Sequence, residues 1–327
     1  MNNIVMKPNT YRLPASWEPR DAVVLNWPNQ QMLEKTEDLQ ELYEALVTVL
    51  IDYVDVIIAT DSHEFADLRE RLILMEVPVE YVYFYQVPSS SIGIGNEGSI
   101  LVEANSDFVI LNRQHPIIES LYTQQAFPFA KLQKSDIQLS SADMESDGLQ
   151  NLVVNLAALT LKNANYSKAE IQHYIREKFS HEQIVWVDAC GDHTFARVVP
   201  GNQCLYLACD DSQSEYYELF KKEKDNLSLQ MDKLKQPMNL IPLPWGGVIE
   251  DDNGVECLVD YSQFIVVNEA VLVPLFDVPS DEDAMEILSQ VFPGFEILGF
   301  PSMVLTGIKS SLLKITLSVA EGVLEPL

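Results

Sequence analysis

A local order recurs along the chain and limits what it can fold into: two short apolar strands joined by a tight turn, then an amphipathic helix, then another strand. The hairpins are GSILVEANSDFVILN (98–112), TFARVVPGNQCLYLAC (194–209) and FIVVNEAVLVPLF (264–276). Pro200-Gly201 and Asn268 supply turn chemistry in the second and third. Helical periodicity is clearest over residues 36–53, 63–75, 166–179 and 281–292, and Ser167 followed by Glu170 forms a capping-box signature. Single strands at 54–60, 79–85, 183–189 and 238–244 complete the alternation. The order returns without a residue-level repeat, so the chain reads as an α/β protein of similar small units. Each unit has too little apolar surface to stand alone and must pack against its neighbours.

Composition narrows the functional classes. The 327 residues are 47% hydrophobic, and 49 Asp and Glu against 21 Lys and Arg give a formal charge of -28. A field of that sign repels phosphate backbones and anionic membranes, which excludes nucleic acid and membrane surfaces as expected partners. It attracts basic partners or simply keeps the protein soluble. No signal-peptide pattern and no apolar run near the ~20 residues of a membrane helix is present, so a cytoplasmic location is expected, with non-classical secretion looking the same. Cys190, Cys204, Cys209 and Cys257 share no C-x-x-C spacing, which argues against a zinc site or a disulfide framework. IGIGNEG (92–98) matches neither standard phosphate loop, so neither a cofactor nor a metal is expected. Residues 210–226 read as a surface helix whose KKEK run is a solvated face.

The opening YRLPASWEPRDAVVLNWPN (11–29) resembles the start of the agmatine deiminase family and the related bacterial peptidyl-arginine deiminases, through Pro14, Trp17, Glu18, Pro19, Trp27 and Pro28. Residues 87–103 resemble the family strand that ends in W-x-R-D-x-G-P. Residues 184–207 resemble its G-H-x-D-x-F-A-R segment, and 261–300 the stretch before its last catalytic motif. The resemblance covers the chain except about residues 110–135. It implies a pentein, a propeller of five ββαβ units around a central pocket, as a single domain over 1–327. It also implies hydrolysis of a guanidinium group through a covalent cysteine intermediate, assisted by histidine and by carboxylates that hold the planar cation.

Aligned with those motifs, the chemical residues differ. The family's Arg-Asp falls on Gly95 and Asn96, its tryptophan on Gly93, and its proline on Ser99, while Gly98 remains. The clamping glutamate falls on Ser140, with Asp143 and Glu145 nearby as expected solvent-facing turn residues. TFAR (194–197) fixes H-x-D on Gly191, Asp192 and His193, and KSSLLKIT (309–316) places Lys314 at the nucleophile. These substitutions predict that Asn96, Ser140, Gly191, His193 and Lys314 converge on a centre that has lost its negative charge. The expectation that follows is a non-catalytic relative that binds a protein: a basic partner, an active deiminase relative or a toxin. The alternatives are a small-molecule sensor, or an enzyme with altered chemistry, in a pocket where Lys314, His193 and Asp192 contact the ligand.

Overall fold

In the computed structural model, residues 10–61, 65–88, 92–105, 107–188, 196–231, 237–250, 254 and 256–325 are described. They form five small sheets. The first contains Arg20–Asn26 (β1), Asp55–Thr60 (β2) and Val82–Gln86 (β3), linked by helices Gln30–Lys35 (α1), Leu39–Leu50 (α2) and Phe65–Leu74 (α3). The second contains Ser99–Ala104 (β4), Asp107–Asn112 (β5) and Ala130–Lys134 (β6), with Pro116–Thr123 (α4) as the crossover. In the third, Met144–Ser146 (β7) and Asn151–Asn155 (β8) precede Leu156–Lys162 (α5), Lys168–Lys178 (α6) and Gln183–Val187 (β9). The fourth has Ala196–Val199 (β10), Gln203–Ala208 (β11), Tyr217–Met231 (α7), Asn239–Glu250 (β12) and Glu256–Asp260 (β13). The fifth has Ile265–Val267 (β14), Ala270–Leu275 (β15), Ser280–Val291 (α8) and Glu296–Pro301 (β16). Two short helices, Met303–Gly307 (α9) and Leu312–Ile315 (α10), lead to the last strand, Thr316–Ala320 (β17).

Every unit repeats one pairing rule. A central strand lies antiparallel to one neighbour and parallel to the next, as in β4-β5-β6 and β14-β15-β16. The parallel step needs a crossover, and the amphipathic helix of each unit supplies it. In the first sheet the antiparallel neighbour is β17, which pairs with β1 and so joins the two ends of the chain. The hairpin turns that the sequence places at Gly201 (φ 83°) and Asn268 (φ 46°) adopt the left-handed conformation that tight turns require, and Asn105 (φ 60°) does the same in the first hairpin. Asn268 also ties the fifth unit to the first, since its Oδ1 accepts from the Arg20 N–H and its Nδ2 donates to the Tyr53 carbonyl, both at 2.8 Å. The capping box at Ser167 and Glu170 opens α6 as expected.

The apolar core lies between units. One cluster joins α7 and β10–β12 to β15 and α8, a second joins β14 and β15 to β1, α2 and α10, and a third joins β1 and β17 to β5 and α4. The fourth joins β4 and β5 to β8, α5 and α6. This is the neighbour packing the small units require. Helix α4 falls in the stretch the family resemblance leaves uncovered. Among the described residues, no helix is long and apolar enough to cross a membrane.

Candidate active site

The loop before β4 and the segment before β7 meet at a buried polar cluster. Lys162, the last residue of α5, reaches across from the third unit and donates to Asn96 Oδ1 (2.5 Å), to Ser140 Oγ (3.0 Å) and to the Asp143 carboxylate. An ammonium carries three N–H donors, and all three have acceptors here. Ser140 is fully buried and donates to Asp143. Asp143 is therefore not the solvent-facing turn residue expected from sequence. Glu145 is not one either: its carboxylate accepts from Arg197 Nε at 2.5 Å with only 11% of its side chain exposed. Asp143 ends the 3-10 turn Ser141–Asp143 that leads into β7, and Glu145 is the middle residue of β7.

Lys314 lies against this cluster through the backbone. The Gly95 N–H donates to the Lys314 carbonyl (2.9 Å), and the Gly95 carbonyl accepts from Ala142 N (3.1 Å) and Ser141 Oγ (3.0 Å). A Cβ at residue 95 would stand 2.2 Å from the Thr316 carbonyl oxygen and 2.5 Å from that of Leu313. Only glycine permits this approach. The chain thus brings Asn96, Ser140 and Lys314 into one neighbourhood. Gly191, Asp192 and His193 lie outside the described residues.

The Lys314 side chain lines a cleft of about 330 Å³ between β13 and the α9–α10 segment. Asp260, Gln263, Ser311 and Lys314, all nearly buried, form part of its wall, with Glu256 and Lys309 among the exposed lining residues. Ser311 caps α10 and donates to Gln263 Oε1 (2.7 Å), and Gln263 Nε2 donates to Asp260 Oδ2 (3.1 Å). Asp260 Oδ1 accepts from the backbone and hydroxyl of Ser262. Arg197 steadies this strap from behind, donating to the carbonyls of Ser262 (2.6 Å) and Phe264 (2.8 Å) and lying 4.1 Å from the Phe264 ring centroid. Two carboxylates and two ammonium groups line the cleft, so negative charge is retained at positions the motif alignment did not point to. Sequence reasoning missed Lys162, Asp260, Gln263 and Ser311; Asp260, immediately before the family-like YSQF run, was the nearest to a visible signal.

Among the described residues no thiol lines this cleft, and no group of His, Cys, Asp and Glu side chains is placed to hold a metal. Cys204 is fully buried, and burial pushes its thiol up to about 12, which leaves it protonated and unreactive.

Five ββαβ units, closed by pairing of the last strand with the first, define a pentein propeller. The chain matches the model of the Porphyromonas-type peptidyl-arginine deiminase family over residues 12–317, and it belongs to that family. It is 22% identical over 344 residues to the agmatine deiminase of Pseudomonas aeruginosa (strain LESB58), covering 89% of this chain and 90% of that protein. The solved structure of C. jejuni agmatine deiminase superposes with a TM-score of 0.83 at 19% identity, covering 98% of this chain and all of that one. An agmatine deiminase of Enterococcus faecalis, described as catalysing its reaction, superposes at 0.80 with 15% identity, over 98% of this chain and 99% of that one. A variant of the C. jejuni enzyme was solved with substrate bound. These relatives overturn the expectation of a non-catalytic binding protein, which rested on motif alignment alone: proteins alike along nearly the whole chain are named as enzymes.

Proposed function

We propose that the chain is a hydrolase of the agmatine deiminase type that cleaves a carbon–nitrogen bond of a small guanidinium compound in the cleft beside Lys314. The observation that carries this reading is the cleft itself. It has the volume of a small-molecule site, and it sets the Asp260 carboxylate and the Lys314 side chain in one wall, next to the family's last motif. Asp260 Oδ2 accepts from Gln263 Nε2 at 3.1 Å, and a carboxylate oxygen can accept more than one hydrogen bond, as from a guanidinium N–H or water. Glu256 adds a second negative charge at the exposed part of the wall.

Because Lys314 occupies the aligned cysteine position, water is the attacking group. Asp260 takes the proton from water as its oxygen bonds to the guanidinium carbon. The carbon–nitrogen bond breaks as the Lys314 ammonium protonates the departing amine. The new hydroxyl returns its proton to Lys314 as the ureido carbonyl forms, and the proton held by Asp260 leaves with ammonia as ammonium. A guanidinium compound labelled with carbon-13 at the central carbon, incubated with purified protein, tests this by NMR. Agmatine and a few related guanidines should each be tried, and the label is expected to move to a ureido carbonyl resonance. A label that stays as guanidinium in all of them contradicts the reading.

A further inference from the structure

One wall of the Lys314 cleft is strand β13, which contributes Glu256, Leu258 and Asp260. Alternate residues share one face of a strand, so these three form a ladder along the cleft. Exposure grades along it: Glu256 is exposed at the rim, Leu258 is partly buried, and Asp260 is nearly buried inside. Four steps of a strand set the Cα atoms of the two acids about 13 Å apart. An apolar step thus separates an inner from an outer carboxylate.

The outer carboxylate has an aromatic neighbour. Tyr216 lines the same cleft, and burial, followed by the charges of Glu215 and Glu256, pushes its hydroxyl pKa up, which places Glu256 within electrostatic reach of the ring. The ring is held from behind by Trp245, with centroids 5.0 Å apart, and by Phe220 at 6.0 Å. A carboxylate beside a fixed aromatic ring suits an organic cation, which gains from the ion pair and from the ring face. Lys309 belongs to the facing wall, off the line of the ladder. A ligand extended along β13 from Asp260 therefore passes Leu258 and ends at Glu256.

We propose that Glu256 is the specificity-determining residue for the far end of the substrate, holding a second cationic group beside Tyr216 while Leu258 supports the alkyl chain. This rests on the hydrolase reading of the cleft and adds to it the residues that read the tail. Charge-assisted hydrogen bonds of about 3 Å at each end leave about 7 Å between the two cationic groups. At ordinary bond lengths an extended chain of four methylenes sets a guanidinium carbon and an amine nitrogen about 7 Å apart. Chains two methylenes shorter or longer miss that span by about 2.5 Å. The ladder is thus a ruler for tail length as well as a filter for tail charge.

The probes are guanidinoalkylamines with two to six methylenes and the guanidino acid of matching length, which ends in a carboxylate. Apparent affinities for the wild type, Glu256→Gln and Glu256→Lys are read by calorimetry, with ammonia release followed in parallel. Both substitutions fall at an exposed position and leave the core untouched. The wild type should bind the four-methylene amine most tightly and the guanidino acid more weakly. Glu256→Gln should weaken the amine about three- to fivefold, the scale of a solvent-exposed ion pair, without weakening the acid, and Glu256→Lys should invert their order. A wild type that favours the acid or shows no length preference, or an unchanged order in Glu256→Lys, overturns the assignment; ammonia release in the same samples would leave the hydrolase reading standing. The expected order without ammonia from any compound would contradict hydrolysis while upholding the role of Glu256. Binding of none of the compounds overturns both.

Discussion

At the residue scale the Lys162 cluster makes the sharpest demand on stability. Asp143 has 2% of its side chain exposed, and Lys162 is its cationic partner. Removing one partner of a buried pair strands the other charge at a cost of about 3–5 kcal/mol. Lys162→Met is therefore expected to lower the urea unfolding free energy by that order, and Asp143→Asn in the same chain to restore part of it. Simple additivity of the two changes would show that the contact is not energetically coupled. His181 gives a pH-dependent counterpart. It is nearly buried, with Nε2 2.7 Å from Ser146 Oγ, and burial lowers its pKa from 6.5 to about 4. Between those values the unfolded chain binds a proton that the folded chain refuses. Stability from the neutral ring is complete above pH ~6.5 and falls as the pH drops towards ~4, by on the order of 3 kcal/mol. Urea unfolding at several pH values should show this slope, and His181→Gln should flatten it within that window.

At the element scale the contact between Gly95 and the α10–β17 segment holds the cleft in place. Gly95→Ala forces a Cβ into the Thr316 and Leu313 carbonyls, which are backbone atoms of the segment that carries Lys314. Loss of about 1–3 kcal/mol is expected by chemical denaturation, as for overpacked interiors. A variant as stable as the parent would show that the loop relaxes freely. The elements themselves were largely legible. Apolar alternation marked the hairpins, with turn residues visible at Gly201 and Asn268, and the 3.6-residue period marked α2, α3, α6 and α8. Helix α5 is only seven residues long and almost wholly apolar at its start, so no polar face exposed its period. Helices α9 and α10 are too short to show one.

At the scale of the whole molecule the ring closure and the site were legible to different depths. Similar small units were readable from the recurring order, but the pairing of β1 with β17 joins opposite ends of the chain, and no local pattern encodes it. The motif alignment found the neighbourhood of Asn96, Ser140 and Lys314. It could not find Lys162, whose contacts span 66 and 22 residues, or the relay from Ser311 through Gln263 to Asp260, which crosses 48. Reading function from the aligned motif residues alone led to the expectation of a non-catalytic protein, which the likeness to named enzymes along nearly the whole chain overturns. The most direct measurement is ammonia release from agmatine and related guanidines by the purified wild type, Asp260→Asn and Lys314→Met side by side. Turnover by the wild type that falls about a hundredfold or more in each variant, as expected for loss of a general base or acid, is the predicted result. No ammonia from any of these compounds, or equal rates in all three proteins, would contradict an active site in this cleft.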